Sequence, residues 1–127
     1  MKIPLLMVTL FLFVASPVMA EEKIESVTTK YLHFVCLDVV FQDDTLPTSS
    51  YCKAFIQGVV DEHKLVTSNH NVPEQYCLPL TVSVEKLARV FTNFTDKNPM
   101  FLDKPAVFTL NYALRDAFPC LGVQYEK

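Results

Sequence analysis

Four stretches of this chain repeat apolar residues at helical spacing. The clearest is Val84, Leu87, Ala88, Phe91 and Phe94, at i, i+3, i+4, i+7 and i+10, which predicts an amphipathic helix. Ser83 precedes it as a helix cap, and Asn98-Pro99 closes it. An earlier segment, Ile24 to Phe41, places Leu32, Val35, Val39 and Val40 on one face, extended by Val27 and Tyr31. A second helix is predicted from Ser49 or Ser50, either of which can cap it, to about Val66. Phe55, Ile56, Val59, Val60 and His63 form its stripe. The last helix opens at Asp103, a cap that also suits the positive end of the dipole, with Pro105 in its first turn and Pro119 at its end. Ala106, Leu110, Ala113, Leu114 and Ala117 form its buried face. Between helices lie a polar loop, Gln42 to Ser50, and a longer one, Thr67 to Leu80. The expected fold class is all-α, a small up-and-down bundle of about four helices.

The amino terminus has a different pattern. Met1-Lys2 is followed by an apolar run from Ile3 to Val14, a break at Pro17 and small residues ending at Ala20. The run is too short to span a bilayer, so it reads as a signal peptide, residues 1–20, cleaved near Ala20. The alternative is a buried core helix. A periplasmic or secreted protein without a stable membrane anchor is expected, with residues 21–127 as one domain. Removing residues 1–20 from the 127-residue chain leaves 107 residues, 10 basic and 14 acidic. No Lys or Arg cluster is present to neutralise phosphates, which argues against nucleic acid. With Gly58 and Gly122 as the only glycines, a phosphate-cradling loop is excluded. Gly58 inside a predicted helix costs roughly 1 kcal/mol against Ala; close approach of another helix is one explanation, and drift is the other.

Four cysteines behind an export signal, Cys36, Cys52, Cys77 and Cys120, read as disulfides. Cysteine count alone leaves three pairings open. In an up-and-down bundle the end of the first helix meets the start of the second, and the start of the third lies beside the end of the fourth. That topology predicts Cys36–Cys52 and Cys77–Cys120, since the other pairings would bridge opposite ends, beyond a Cα separation of about 7 Å. Loop-closure entropy assigns these bridges roughly 3 and 4 kcal/mol.

Catalytic readings of the same residues are weaker than structural ones. Cys77 and His70 could act as nucleophile and base, but an even cysteine count favours a structural pair. His33, His63 and His70 lack the spacing of a metal site, and no cofactor is expected. His63 lies on the second stripe and reads as a hydrogen-bonded core residue. Asp43-Asp44 and Asp61-Glu62 read as solvated surface. Asn93-Phe94-Thr95 fits a glycosylation sequon within a helix. Phe91, Phe94, Phe101, Phe108 and Phe118 read as core; any that is exposed would mark a partner surface.

The order of short motifs adds a resemblance. Cys52-Lys53-Ala54-Phe55-Ile56-Gln57-Gly58-Val59-Val60-Asp61 resembles a Cys-x-x-aromatic-Ile-x-Gly-x-x-Asp helix, and Tyr76-Cys77-Leu78-Pro79 a turn before a capped helix. Ser83 and Leu87, Asn98-Pro99, and Ala113-Leu114-Arg115-Asp116-Ala117-Phe118-Pro119-Cys120 complete the series. The pattern resembles the Rap/Tai type VI secretion immunity proteins over Tyr51 to Cys120, with Cys36 as their upstream cysteine. Lys86 stands where that family often has Gln, so a reciprocal capping box is lost. The resemblance implies a helical periplasmic protein, often a homodimer and not an enzyme. Its partner would be an amidase effector toxin that cuts peptidoglycan peptides, whose active-site cleft it occludes. The variable loops Thr67–Tyr76 and Thr95–Asp103 are then the expected contacts, through Asn69, His70, Asn71, Met100 and Phe101. A periplasmic chaperone or stress protein without a toxin is the alternative function.

Overall fold

The computed structural model describes residues 23–41 and 45–121; the signal segment, Asp43-Asp44 and Gly122 lie outside the described residues. Four helices make up the fold: α1 (Thr29–Val40), α2 (Pro47–Asn69), α3 (Val84–Lys97) and α4 (Ala106–Ala117), with a 3-10 turn, Pro99–Phe101, between the last two. The all-α architecture expected from the stripes is present. No strand occurs among the described residues, and a lone backbone bridge joins Thr28 to Pro105.

One core joins all four helices. Leu32, Val35 and Val39 of α1 meet Ile56, Val59 and Val60 of α2, Leu87, Ala88 and Phe91 of α3, and Ala106, Leu110 and Leu114 of α4. Each such large apolar side chain is worth roughly 1.5–3 kcal/mol when fully buried. α1 packs against every other helix and forms the centre of the assembly.

Both predicted disulfides are present, Cys36–Cys52 and Cys77–Cys120, with Cα separations of 5.1 and 5.0 Å. The first clamps the hairpin α1–α2, where Thr48 also donates to the Asp38 carboxylate. Other contacts fix the remaining ends. Lys53 pairs with Glu85 at 3.2 Å, which sets the start of α3 beside the first half of α2. His33 Nε2 lies 2.8 Å from Asp96 and holds the end of α3 against α1. The amide of Ala106 donates to the Val27 carbonyl at 2.7 Å, so α1 and α4 begin at one end while α2 and α3 begin together at the other; the helix directions do not alternate as in the expected up-and-down order.

Several predicted boundaries shift, each for a visible reason. α1 starts at Thr29 rather than Ile24, because Thr28 caps it by accepting from the Tyr31 amide at 3.3 Å. Pro47 opens α2 at a position where its missing N–H is harmless, and the proposed cap Ser49 lies buried inside that helix. The same helix runs on to Asn69. Thr67 and Ser68 look like loop residues in sequence, but their hydroxyls bond back to the carbonyls of His63 and Lys64 at 2.9 and 2.8 Å. Asp103 does not cap α4, which begins at Ala106 after Pro105. The N–H that a cap would have satisfied finds the Val27 carbonyl instead. Tyr31 and Ala117, expected on buried faces, are exposed. Gly58 is exposed too, and a Cβ there would meet nothing within 4 Å, so no neighbouring helix of this chain requires it.

Candidate partner-binding site

The two faces of α4 divide cleanly. Ala106, Thr109, Leu110, Ala113 and Leu114 turn inward. Val107, Phe108, Tyr112 and Arg115 fall on the opposite face and are exposed. The 3-10 turn delivers Phe101 onto this outer face. Its ring lies 5.7 Å from Tyr112 and 6.3 Å from Phe108, while Phe108 and Tyr112 are 4.8 Å apart. Phe94 abuts Phe101 edge-on at 5.3 Å and anchors the cluster to α3. The guanidinium carbon of Arg115 sits 4.4 Å from the Tyr112 ring centroid, a cation–π contact that fixes the Arg in place.

Beside this cluster runs an open groove of about 300 Å³, lined by Gln75, Val107, Phe108, Asn111, Tyr112 and Arg115. Gln75 belongs to the long connection between α2 and α3, so that connection and the outer face of α4 form one surface. Met100 projects next to Phe101 and is 71 % exposed. Aromatic rings held by their neighbours lose little freedom when a partner covers them, and Tyr and Arg dominate interface hot spots.

The remaining predicted contact residues are elsewhere on the molecule. Asn69 is the last residue of α2, and His70 caps it by donating its amide to the Val66 carbonyl at 3.0 Å. Asn71 follows with φ of 53°, a left-handed conformation that Asn tolerates better than most residues. All three are exposed. No hydrogen bond or ring contact joins them to Met100 or Phe101 among the described residues. Of the five phenylalanines read as core, Phe91 is fully buried, Phe94, Phe101 and Phe118 are half-buried, and Phe108 is exposed. Phe108 thus meets the condition for marking a partner surface. Tyr112 and Arg115 lie outside the inward stripe that predicts the core; the complementary positions of the same helix carry their signal.

A second feature adjoins the Cys77–Cys120 bridge. Tyr76 stacks on His63 with ring centroids 4.0 Å apart. Contrary to expectation, His63 is not hydrogen-bonded through Nε2: that atom and the Tyr76 hydroxyl are buried without partners among the described residues. Burial, with a smaller contribution from Glu62, pushes the Tyr76 phenol up to about 12. Its proton stays in place across the physiological range.

Cys77 is consumed in a disulfide, which removes the nucleophile from the Cys77–His70 pairing, and no described cysteine is free. The same bond occupies the sulfurs of the cluster Glu74, Cys77 and Cys120, which would otherwise offer three metal-ligand atoms. Asp61 and Glu62 are exposed, with Asp61 accepting from Gln57 at 2.9 Å. No helix among the described residues is long and apolar enough to cross a membrane. The sequence model of the Rap1a immunity proteins matches residues 28–120. No curated protein and no solved structure matches the chain.

Proposed function

Because the chain belongs to the Rap1a immunity protein family, whose members inhibit toxins rather than catalyse reactions, we propose that it binds an amidase toxin that cuts peptidoglycan peptides and occludes its active site. Inhibition of this kind is a binding event. It needs a preorganised surface and no catalytic group.

The observation that carries the reading is the outer face of α4: Phe101, Phe108 and Tyr112 in mutual contact, with Arg115 over Tyr112. Met100 extends that face, and Asn69, His70 and Asn71 supply a second, polar contact at the tip of α2. The proposed chain is exported by residues 1–20 and works as a single domain, residues 21–127, in the periplasm. Two disulfides are at home in that oxidising compartment.

Self-association has its own support. Tyr31, Phe34 and Phe41 are exposed along one side of α1, and Tyr31 meets Tyr51 of α2 edge-on at 5.6 Å. This apolar surface is where a homodimer would form.

The test is co-purification from periplasm with a peptidoglycan amidase, followed by peptidoglycan hydrolysis by that amidase with and without this protein. Tyr112→Ala and Arg115→Ala are each expected to weaken inhibition at least tenfold while leaving the circular dichroism spectrum unchanged. Full inhibition by the double variant would remove α4 from the interface. Capture of many unfolded clients in place of one stoichiometric partner would favour the chaperone reading.

A further inference from the structure

The two disulfides differ in what can reach them. Cys36 and Cys52 are fully buried, whereas Cys77 and Cys120 are each partly exposed. A cleft of about 240 Å³, with Lys64, Glu74, Tyr76 and Leu80 in its walls, opens onto Cys77. A carboxylate oxygen of Glu74 lies 3.1 Å from Cys77 Sγ. Lys64 lines the same cleft, but Glu74 is the charge in contact with the sulfur.

We propose that Cys77–Cys120 is a thiol-exchange site for small thiols and thiol-bearing peptides, and that Glu74 guards it electrostatically. An incoming thiolate enters the cleft, bonds to Cys77 Sγ and expels Cys120 as a thiolate, which takes a proton from solvent. A second thiolate then attacks the incoming sulfur of that mixed disulfide, expelling Cys77, which is also protonated. Two external thiols are oxidised to one disulfide as the protein's bridge is reduced to two thiols. The nucleophile is an anion and must approach beside an anion. Glu74 is exposed, and with water-like screening one unit charge at about 4 Å is worth about 1 kcal/mol, roughly threefold to tenfold in rate. The other bridge offers no approach to a nucleophile and stays closed. Exchange therefore unhooks the Tyr76–Cys77 segment from the end of α4 and leaves the α1–α2 clamp intact. This site is independent of the identity of the toxin.

The test exposes the folded, fully oxidised protein to glutathione or to cysteamine, then alkylates free thiols and maps them by peptide mass spectrometry. Cys77 and Cys120 are expected to be labelled at least tenfold faster than Cys36 and Cys52, with the first mixed disulfide on Cys77. Glu74→Gln should raise the glutathione rate roughly threefold to tenfold. It should raise the cysteamine rate less, because the ammonium of that reagent offsets the charge of its thiolate. Labelling of all four cysteines together would mean that unfolding gates the reaction, and would overturn the proposal. A first adduct on Cys120 would overturn the assigned direction of attack. Equal acceleration with both reagents, or none, would remove Glu74 as an electrostatic guard.

Discussion

Replacing Tyr76 by Phe should stabilise this protein, and more so at high pH. The Tyr76 side chain is 2 % exposed, its ring packs flat on His63, and its hydroxyl has no hydrogen-bond partner among the described residues. A buried hydroxyl without a partner costs roughly 1–3 kcal/mol. Tyr76→Phe keeps the ring and its stacking while deleting the uncompensated group. The expected gain near pH 7 is about 1 kcal/mol, or roughly 4–8 °C in melting temperature for a domain of this size. The pH dependence provides a second, independent check. The phenol is raised from 10.0 to about 12 in the fold. Stability tied to its protonated form is therefore fully present below the unfolded value and is lost as pH rises through the folded one. The full loss is roughly 2–3 kcal/mol, and about 1 kcal/mol of it has gone by pH 10.5. The variant has no phenol at this position, so its advantage should widen by about that amount between pH 7 and pH 10.5. Urea unfolding followed by far-UV circular dichroism, with both disulfides intact, measures the difference directly; other lysines and tyrosines titrate equally in both proteins and cancel. A variant 1 kcal/mol less stable at pH 7 would show that the hydroxyl has a partner and that the reasoning fails. A gap that stays constant with pH would refute the link to the raised pKa.

Gly58→Ala should add about 0.5–1 kcal/mol, since the new methyl enters open space in a helix interior; a fall in melting temperature would count against it. Phe91→Ala removes a fully buried ring from the centre of α3 and should cost roughly 3–5 kcal/mol in chemical denaturation. Glu85 is held below the usual carboxylate range, first by its backbone hydrogen bond at the start of α3 and then by Lys53. Its stabilising share is therefore present above the ordinary carboxylate pKa and lost as pH falls through the lowered one. Glu85→Gln should flatten the acid limb of a stability–pH curve slightly, and an unchanged limb would contradict the assignment.

Local pattern sufficed wherever the partner of a group was near in sequence. The stripe from Val84 to Phe94 is the inward face of α3, and Ser83 accepts from the Lys86 amide at 3.2 Å as a cap should. Failures came where the partner was distant. Asp103 looked like a cap because its residue type suits one, yet the amide of Ala106 is satisfied by Val27, distant in sequence but adjacent in the fold. Disulfide pairing was legible because it required only that α1–α2 and α3–α4 turn back on themselves. The other pairings would not have spanned opposite ends: with α2 and α3 starting together, all four cysteines lie toward one end of the bundle. The candidate binding face was half legible: Met100 and Phe101 were found as loop residues, while Tyr112 and Arg115 required knowing which side of α4 the loop would fold against.

The contacts around Thr29 constrain when this fold can be completed. Its hydroxyl donates to the Lys104 carbonyl and engages Thr109 Oγ1, groups 75 and 80 residues further along the chain. α1 is the first helix to be made and the most central one, but its opening turn stays unfinished until the start of α4 arrives. For a chain delivered amino end first, by a ribosome or through a membrane pore, the central helix must wait for the last. The α1–α2 hairpin and its disulfide can form earlier, but the seam at Thr29 closes only once residues 104 to 109 have been synthesised or released.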